Sequence, residues 1–373
     1  MTVAGPDFQA LAQPGIRGLR AYDPGHDIVA LRQRFPELLE AGSNESPFGP
    51  SASVRDAILA TLAALHRYPD PLGAGLRDAL ARRHGLAREQ IVLGNGSHEL
   101  LMLLAQVFAG PGAGVLASQF GFAVYAIAAQ AAGAGFVEAK ALPAESEMPR
   151  GHDLKALAAL VGGSTRLVYL ANPNNPTGTW FSLASLEQFL LSVPRDVLVV
   201  VDEAYIEYSS DLALASAIPL LASHPNLVVT RTFSKAYGLA GLRAGYACAH
   251  PSLLAVLERA RESFNVNACA LAACEAALAD VSHLETVRSL TVVEREWLAA
   301  GLRTLGVDVS PSQTNFLLAD FGRDAAAIES DLLGRGIVLR PMTGYGLPAC
   351  LRMTVGTRAD NERLLKALGQ VLG

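Results

Sequence analysis

The run Leu227-Val228-Val229-Thr230-Arg231-Thr232-Phe233-Ser234-Lys235-Ala236-Tyr237-Gly238-Leu239-Ala240-Gly241-Leu242-Arg243 decides the reading of this chain. Its apolar start, 227–229, has the pattern of a strand. The strand opens into two hydroxyl residues, Thr232 and Ser234, just ahead of one lysine, then a turn of small residues, then an arginine eight positions past the lysine. At its ordinary pKa a lysine is a protonated ammonium and no nucleophile, so chemistry at Lys235 demands a special setting. The end of a buried strand, with hydroxyls and an arginine suited to a phosphate, is such a setting. It points to Schiff-base chemistry on a phosphorylated aldehyde.

Around this run, short apolar stretches at 91–93, 114–117, 135–138, 166–170, 197–201, 227–231 and 243–248 read as strands. Helical stretches fall between them, at about 98–109, 122–132, 153–161, 182–192 and 251–261. This alternation predicts an α/β layer with a mostly parallel sheet covered on both faces. The valine run within 197–201 lacks polar alternation, as a strand buried on both faces requires. Upstream, residues 1–45 read as an irregular arm with one helix over about 28–39. Ser51 is the expected N-cap of a helix reaching about residue 65, and a further helix covers about 75–84. Past residue 265 the texture changes to an alanine- and leucine-rich helical region over 267–305. Short strands near 307–309, 314–319, 337–340 and 350–355 follow, with helices at about 323–333 and from 358. The expected organisation is an arm (1–45), a large domain (46–265) and a smaller α+β domain (266–373) joined by the arm.

Composition agrees. Of 373 residues, 51% are hydrophobic and 17% charged, which supports a sizeable core and excludes a disordered chain. The net charge of −5 comes from interspersed acids and bases, so no basic stripe marks a nucleic-acid partner. Cys248, Cys269, Cys274 and Cys350 form no CxxC pair and read as free thiols in a reducing compartment. No apolar run is long enough to span a bilayer, and the N-terminus has no signal pattern, so a cytoplasmic protein is expected.

Ligands of open α/β sheets sit beyond the carboxyl ends of the strands, and polar motifs follow each strand there. Gly94-Asn95-Gly96-Ser97-His98-Glu99 is a glycine turn opening a helix, a ready phosphate cradle. Asn172-Pro173-Asn174-Asn175-Pro176-Thr177-Gly178 holds amide side chains on a backbone that two prolines keep non-helical. Asp202-Glu203-Ala204-Tyr205 ends a buried strand in a carboxylate that needs a cation; a protonated pyridine nitrogen is one.

These motifs, in this order and spacing, resemble fold-type I pyridoxal-phosphate aminotransferases, and within them the histidinol-phosphate aminotransferase family. The resemblance also rests on Ser43-Asn44-Glu45-Ser46-Pro47-Phe48-Gly49-Pro50-Ser51, Tyr68-Pro69-Asp70, Phe264-Asn265-Val266-Asn267, Gly344-Tyr345-Gly346-Leu347-Pro348 and Leu351-Arg352-Met353-Thr354-Val355-Gly356. It implies that Lys235 is the Schiff-base and proton-shuttling residue and that Asp202 keeps the ring nitrogen protonated. Asn175 and Tyr205 would contact the ring's phenolic oxygen, and Phe122 would stack on the ring. Gly96, Ser97, Thr232, Ser234 and Arg243 would hold the phosphate, with the backbone of His98 beside them. Tyr68 would reach the phosphate of the other subunit, making a homodimer the active unit. For the substrate, the resemblance assigns Arg352 to the carboxylate of glutamate or 2-oxoglutarate, Arg340 and Tyr22, joined by Arg352, to the phosphate of histidinol phosphate, and Asn44 to the substrate site.

His98, Ser46 and Glu262-Ser263 depart from the family's usual residues at places where substrate choice is tuned. Two alternatives stay open at this stage: an aromatic amino-acid aminotransferase of the same family, and a pyridoxal-phosphate decarboxylase of a phosphorylated amino acid.

Overall fold

The computed structural model describes residues 6–19 and 25–373. β-Branched valine is cramped in a helix and at ease on a pleated surface, and the valine runs of this chain are its central strands. The arm contributes β1 (Leu39–Glu40). The main sheet comprises β2 (Ile91–Gly94), β3 (Gly114–Ser118), β4 (Phe136–Ala139), β5 (Thr165–Ala171), β6 (Leu198–Asp202), β7 (Leu227–Thr232) and β8 (Gly245–Ala249). Their spatial order is β2-β8-β7-β6-β5-β3-β4. β8 runs antiparallel to both neighbours, while β7–β6, β6–β5, β5–β3 and β3–β4 pair in parallel.

Alternate residues of the central strands enter two separate cores. On one side Val168, Leu170, Val199, Val201 and Val229 pack with Leu157 and Leu186 from helices Leu154–Leu160 and Leu183–Ser192. On the other, Leu167, Tyr169, Val200 and Val228 pack with Leu100 and Val124 from helices Ser97–Phe108 and Val124–Ala131. Each fully buried valine or leucine contributes about 1.5–3 kcal/mol. A charge at either parity, as in Val200→Asp, would therefore break the layer. Two apolar parities are also why these strands show no alternation in the sequence.

The smaller sheet is antiparallel and holds β9 (Asp308–Val309), β10 (Phe316–Asp320), β12 (Arg340–Pro341) and β13 (Cys350–Thr354) in the order β12-β13-β10-β9. Beside it β11 (Ile337–Val338) pairs in parallel with β1, which ties the arm to this end of the molecule. Leu317, Leu351 and Met353 of this sheet share a core with Leu298, Leu332 and Leu364 from helices Val281–Thr304, Ala326–Gly334 and Arg358–Leu372.

Several boundaries differ from expectation. The helix expected over 28–39 stops at Arg34, because Phe35 precedes Pro36 and a residue before proline is pushed out of the helical region. The freed Leu39 and Glu40 become β1. The helix expected to reach residue 65 ends at Thr61 in a tighter turn over Leu62–Ala64, and the one expected to reach 261 ends at Leu257. The helical region over 267–305 is two helices, Ala268–Ala279 and Val281–Thr304, broken where Asp280 leaves the helical conformation and caps the second through the His283 amide.

Candidate active site

The parallel strands bring their carboxyl ends to one edge. Register sets Ala171 beside Asp202, Asp202 beside Thr230, and Thr232 beside Gly245. A cavity of about 310 Å³ opens there, where ligands of such sheets bind. Ser97, His98, Phe122, Asn175, Asp202 and Tyr205 line it. So do Thr232, Ser234, Lys235 and Arg243 from β7 and the loop after it, together with Asn44, Arg340 and Arg352. Tyr22 lies outside the described residues. Tyr68 does not reach this cavity; it is 83% exposed and stacks on Phe264 with ring centroids 4.7 Å apart.

One end of the cavity is built for an anion. Helix Ser97–Phe108 presents its N-terminus there, with unpaired amides and the positive end of its dipole. Arg243, itself left-handed at φ +55°, donates from Nη1 to Ser234 Oγ at 3.2 Å and to the Ala240 carbonyl at 3.0 Å. Gly96 has φ +82°, and a Cβ there would lie 2.6 Å from Arg243 Nη2. Only glycine lets the backbone come this close to the guanidinium. The Ser234 amide donates to Thr232 Oγ1 at 3.1 Å, which folds both hydroxyl-bearing residues around the same corner. At His98, burial and then the nearby Arg243 cation lower the imidazole's pKa.

The lysine amine lies beyond this cup. Lys235 Nζ donates to the carbonyls of Asn44 at 3.2 Å and Ser43 at 3.4 Å and stands 5.6 Å from the centroid of the Tyr205 ring. Burial pushes its pKa down to about 8; Arg352 and Arg243 act the same way, against the pull of Glu45. Near neutral pH a useful fraction of the amine is therefore unprotonated and nucleophilic.

Asp202 is 5% exposed. Thr230 Oγ1 donates to its Oδ1 at 3.1 Å and Tyr125 Oη to its Oδ2 at 3.3 Å. Burial still drives its pKa up to about 6, and no cation offsets this among the described residues. Such a carboxylate fits a cationic ring nitrogen as counter-ion. Phe122, edge-on to Tyr125 at 6.0 Å, supplies an aromatic wall. Anion cup, poised amine, unpaired buried carboxylate and aromatic wall together fit pyridoxal phosphate, with its phosphate, aldehyde, ring nitrogen and flat ring.

Two arginines complete the cavity. Arg352, 8% exposed on β13, donates from Nη1 to Asn175 Oδ1 and from Nη2 to the Gly42 carbonyl, both at 2.6 Å. Arg340 on β12 also borders two adjoining cavities, of about 340 and 560 Å³. Tyr125 and Thr230, which hold Asp202, and the carbonyls of the 42–44 loop are absent from the expectations drawn from sequence. The only signals were positional: Tyr125 stands three residues after Phe122, and Thr230 two before Thr232.

A seven-stranded sheet with a lysine beyond one strand end and an aspartate at the next defines a type I pyridoxal-phosphate enzyme fold. The chain belongs to the aminotransferase class I and II family, whose sequence model matches residues 36–368. Histidinol-phosphate aminotransferase 2 of Pseudomonas fluorescens is 46% identical to it over 370 residues, 98% of each chain. The Pseudomonas aeruginosa enzyme of the same name is likewise 46% identical over 98% of this chain and 99% of its own. Among solved structures, histidinol-phosphate aminotransferase from Sinorhizobium meliloti in complex with pyridoxal-5'-phosphate superposes with a TM-score of 0.87, at 32% identity and 97% coverage of both chains.

Proposed function

We propose that this chain is a pyridoxal-phosphate-dependent aminotransferase that moves the amino group of histidinol phosphate to 2-oxoglutarate. The observation that carries the reading is the row of strand-end groups at one edge: Lys235, Asp202 and the cup of Ser97, Ser234 and Arg243. Near-full-length likeness to proteins of that name supports the substrate.

Pyridoxal phosphate, when bound, supplies a carbonyl that condenses with amines and a ring that accepts electrons from the substrate Cα. The cup would hold the phosphate, and Phe122 would offer the ring an aromatic face. Asp202 keeps the proton on the ring nitrogen, because that cation relieves the cost of its own buried charge. Tyr205 and the Asn175 Nδ2, whose Oδ1 is taken by Arg352, hold the phenolic oxygen. Lys235 Nζ anchors the cofactor at rest. Its free amine would also take and deliver the proton that leaves the substrate Cα. Arg352 takes the carboxylate of glutamate or 2-oxoglutarate with a planar two-donor fork. Arg340, which lines the same cavity, holds the phosphate of the donor, joined there by Arg352.

We also propose a homodimer. Leu59 on helix Ala52–Thr61, Leu62 in the turn after it, and Leu65, Tyr68 and Leu72 in the segment before helix Ala74–His84 form an apolar stretch, each between 49% and 83% exposed, which a second copy would cover. Tyr68 then enters the partner's cavity. Among the described residues no helix is long and apolar enough to cross a membrane. The four cysteines are free and three of them buried, which supports a reducing, cytoplasmic setting.

The test is a half-reaction panel on the reconstituted protein, in which single amino donors are added and conversion to the pyridoxamine form is followed by absorbance. Histidinol phosphate should convert fastest. Faster conversion by phenylalanine or tyrosine would make it an aromatic aminotransferase, and carbon dioxide release from a phosphorylated amino acid would make it a decarboxylase.

A further inference from the structure

Tyr205 is fixed by a residue of the arm. Asn44 has φ +57°, a region that side chains rarely enter and that asparagine tolerates better than most. It is 1% exposed. Its N–H donates to Thr354 Oγ1 at 3.0 Å, and its carbonyl accepts from Lys235 Nζ at 3.2 Å and from Asn315 Nδ2 at 3.1 Å. Its side-chain Nδ2 donates to Tyr205 Oη at 3.0 Å, while Oδ1 has no partner among the described residues. One strained, buried residue thus touches the reactive lysine through its backbone and the tyrosine through its amide. Strain of this kind persists only where the surroundings hold it, and it gathers at functional sites.

We infer, on the basis of the function proposed above, that Asn44 is a positioning residue: its amide fixes the Tyr205 hydroxyl and strengthens it as a donor to the cofactor's ring oxygen. An N–H donated to a phenol oxygen draws charge from it, so the phenol's own proton is offered more strongly. A stronger donor stabilises the anionic ring oxygen and lowers the pH at which the lysine-bound cofactor gives up its proton. An amide aimed at the substrate would have neither effect. The titratable and charged groups around the cavity are Lys235, Arg243, Arg352, Arg340, His98 and Asp202, with Glu45 of the same loop and Glu40 of β1 acting on the lysine. The substitutions below replace none of them.

The experiment titrates the visible band of the pyridoxal-phosphate-loaded enzyme with pH. Asn44→Gly keeps the left-handed backbone without a steric penalty, and with it the carbonyl contacts to Lys235 and Asn315. It should raise the midpoint by about half to one pH unit, the size of one neutral hydrogen bond, and leave KM for 2-oxoglutarate unchanged. Asn44→Asp, also tolerant of this backbone, turns the donor into an acceptor that competes for the Tyr205 proton, and should raise the midpoint further. The Asn44→Gly shift should vanish in a Tyr205→Phe background, since the amide acts through the hydroxyl, and the Asn44→Asp shift should shrink to the direct pull of its carboxylate on the lysine-bound proton. Unmoved midpoints, shifts of equal size in Tyr205→Phe, or a raised KM with an unmoved midpoint each overturn the inference. A wild-type protein with no visible band overturns the underlying function, and that outcome is seen before any variant is made.

Discussion

Arg352 and Asn175 are joined by a 2.6 Å hydrogen bond from Nη1 to Oδ1, although one lies in the small antiparallel sheet and the other in a loop of the main layer. With the second bond to the Gly42 carbonyl, this holds the guanidinium plane across the cavity before any substrate arrives. A carboxylate entering the site takes over a fork that is already ordered, so little side-chain entropy is lost on binding. Lysine at this position keeps the charge and loses the fork. Arg352→Lys should therefore lower kcat/KM for 2-oxoglutarate about ten- to a hundredfold, matching about 1.5–3 kcal/mol for a charged hydrogen bond. Steady-state kinetics with varied 2-oxoglutarate measure it, and unchanged dicarboxylate kinetics would remove the assignment.

Attachment of pyridoxal phosphate to the cofactor-free protein should depend on pH through Lys235. Its folded pKa is depressed to about 8 by burial and by the Arg352 and Arg243 cations. The free amine is the reactive form, so the attachment rate should climb with pH up to about 8 and level off above it. An amine at the ordinary 10.5 would still be climbing at pH 10. Stopped-flow growth of the visible band reads this directly. Lys235→Ala should show no band at any pH.

Asp202 gives the opposite sign. Its folded pKa of about 6 stands above the ordinary 3.8, so the cofactor-free folded state binds the proton more tightly than the unfolded chain does. Above pH 6 the buried charge costs stability, about 3 kcal/mol for a shift of this size. The cost is relieved as pH falls from 6 towards 4. Asp202→Asn should therefore be more stable than wild type at pH 7 without cofactor, and the difference should close at pH 4–5. Loading with pyridoxal phosphate should erase the wild type's deficit. Thermal unfolding at the two pH values, with and without cofactor, tests all three statements.

The main layer was legible because its signals are local. Strands buried on both faces carry unbroken apolar runs, and the groups at their ends follow within a few residues, as Asp202 follows Val201 and Ser97 follows Gly94. What escaped was set by proline chemistry and by long-range pairing. Pro36 cut short the helix expected to reach residue 39, and the residues it freed became a strand only because 337–338 lay beside them. The contacts that hold Asp202 and Tyr205 escaped for the same reason, Asn44 being expected to meet the substrate and not Tyr205. Tyr125 and Asn44 lie 77 and 161 residues from the side chains they contact, and no sequence period links positions so far apart.

Behind the strand ends that carry the site lies a buried ion cluster. Arg231, between Thr230 and Thr232, turns away from the cavity. Its Nη2 pairs with Glu203 at 2.8 Å and its Nη1 with Glu207 at 3.3 Å. Glu203 is 1% exposed and also accepts from Ser216 Oγ at 2.9 Å. Each acid follows a site residue closely, Glu203 after Asp202 and Glu207 after Tyr205, so the cluster braces the backbone that presents both. Removing the cation alone leaves two carboxylates buried without compensation, which costs about 3–5 kcal/mol. Arg231→Met should therefore destabilise strongly, and Glu203→Gln in the same chain should recover part of the loss by removing one stranded charge. Denaturant unfolding of the two single variants and the double variant measures the coupling. Additive effects would mean that the ions act independently and that the brace is the apolar packing around them.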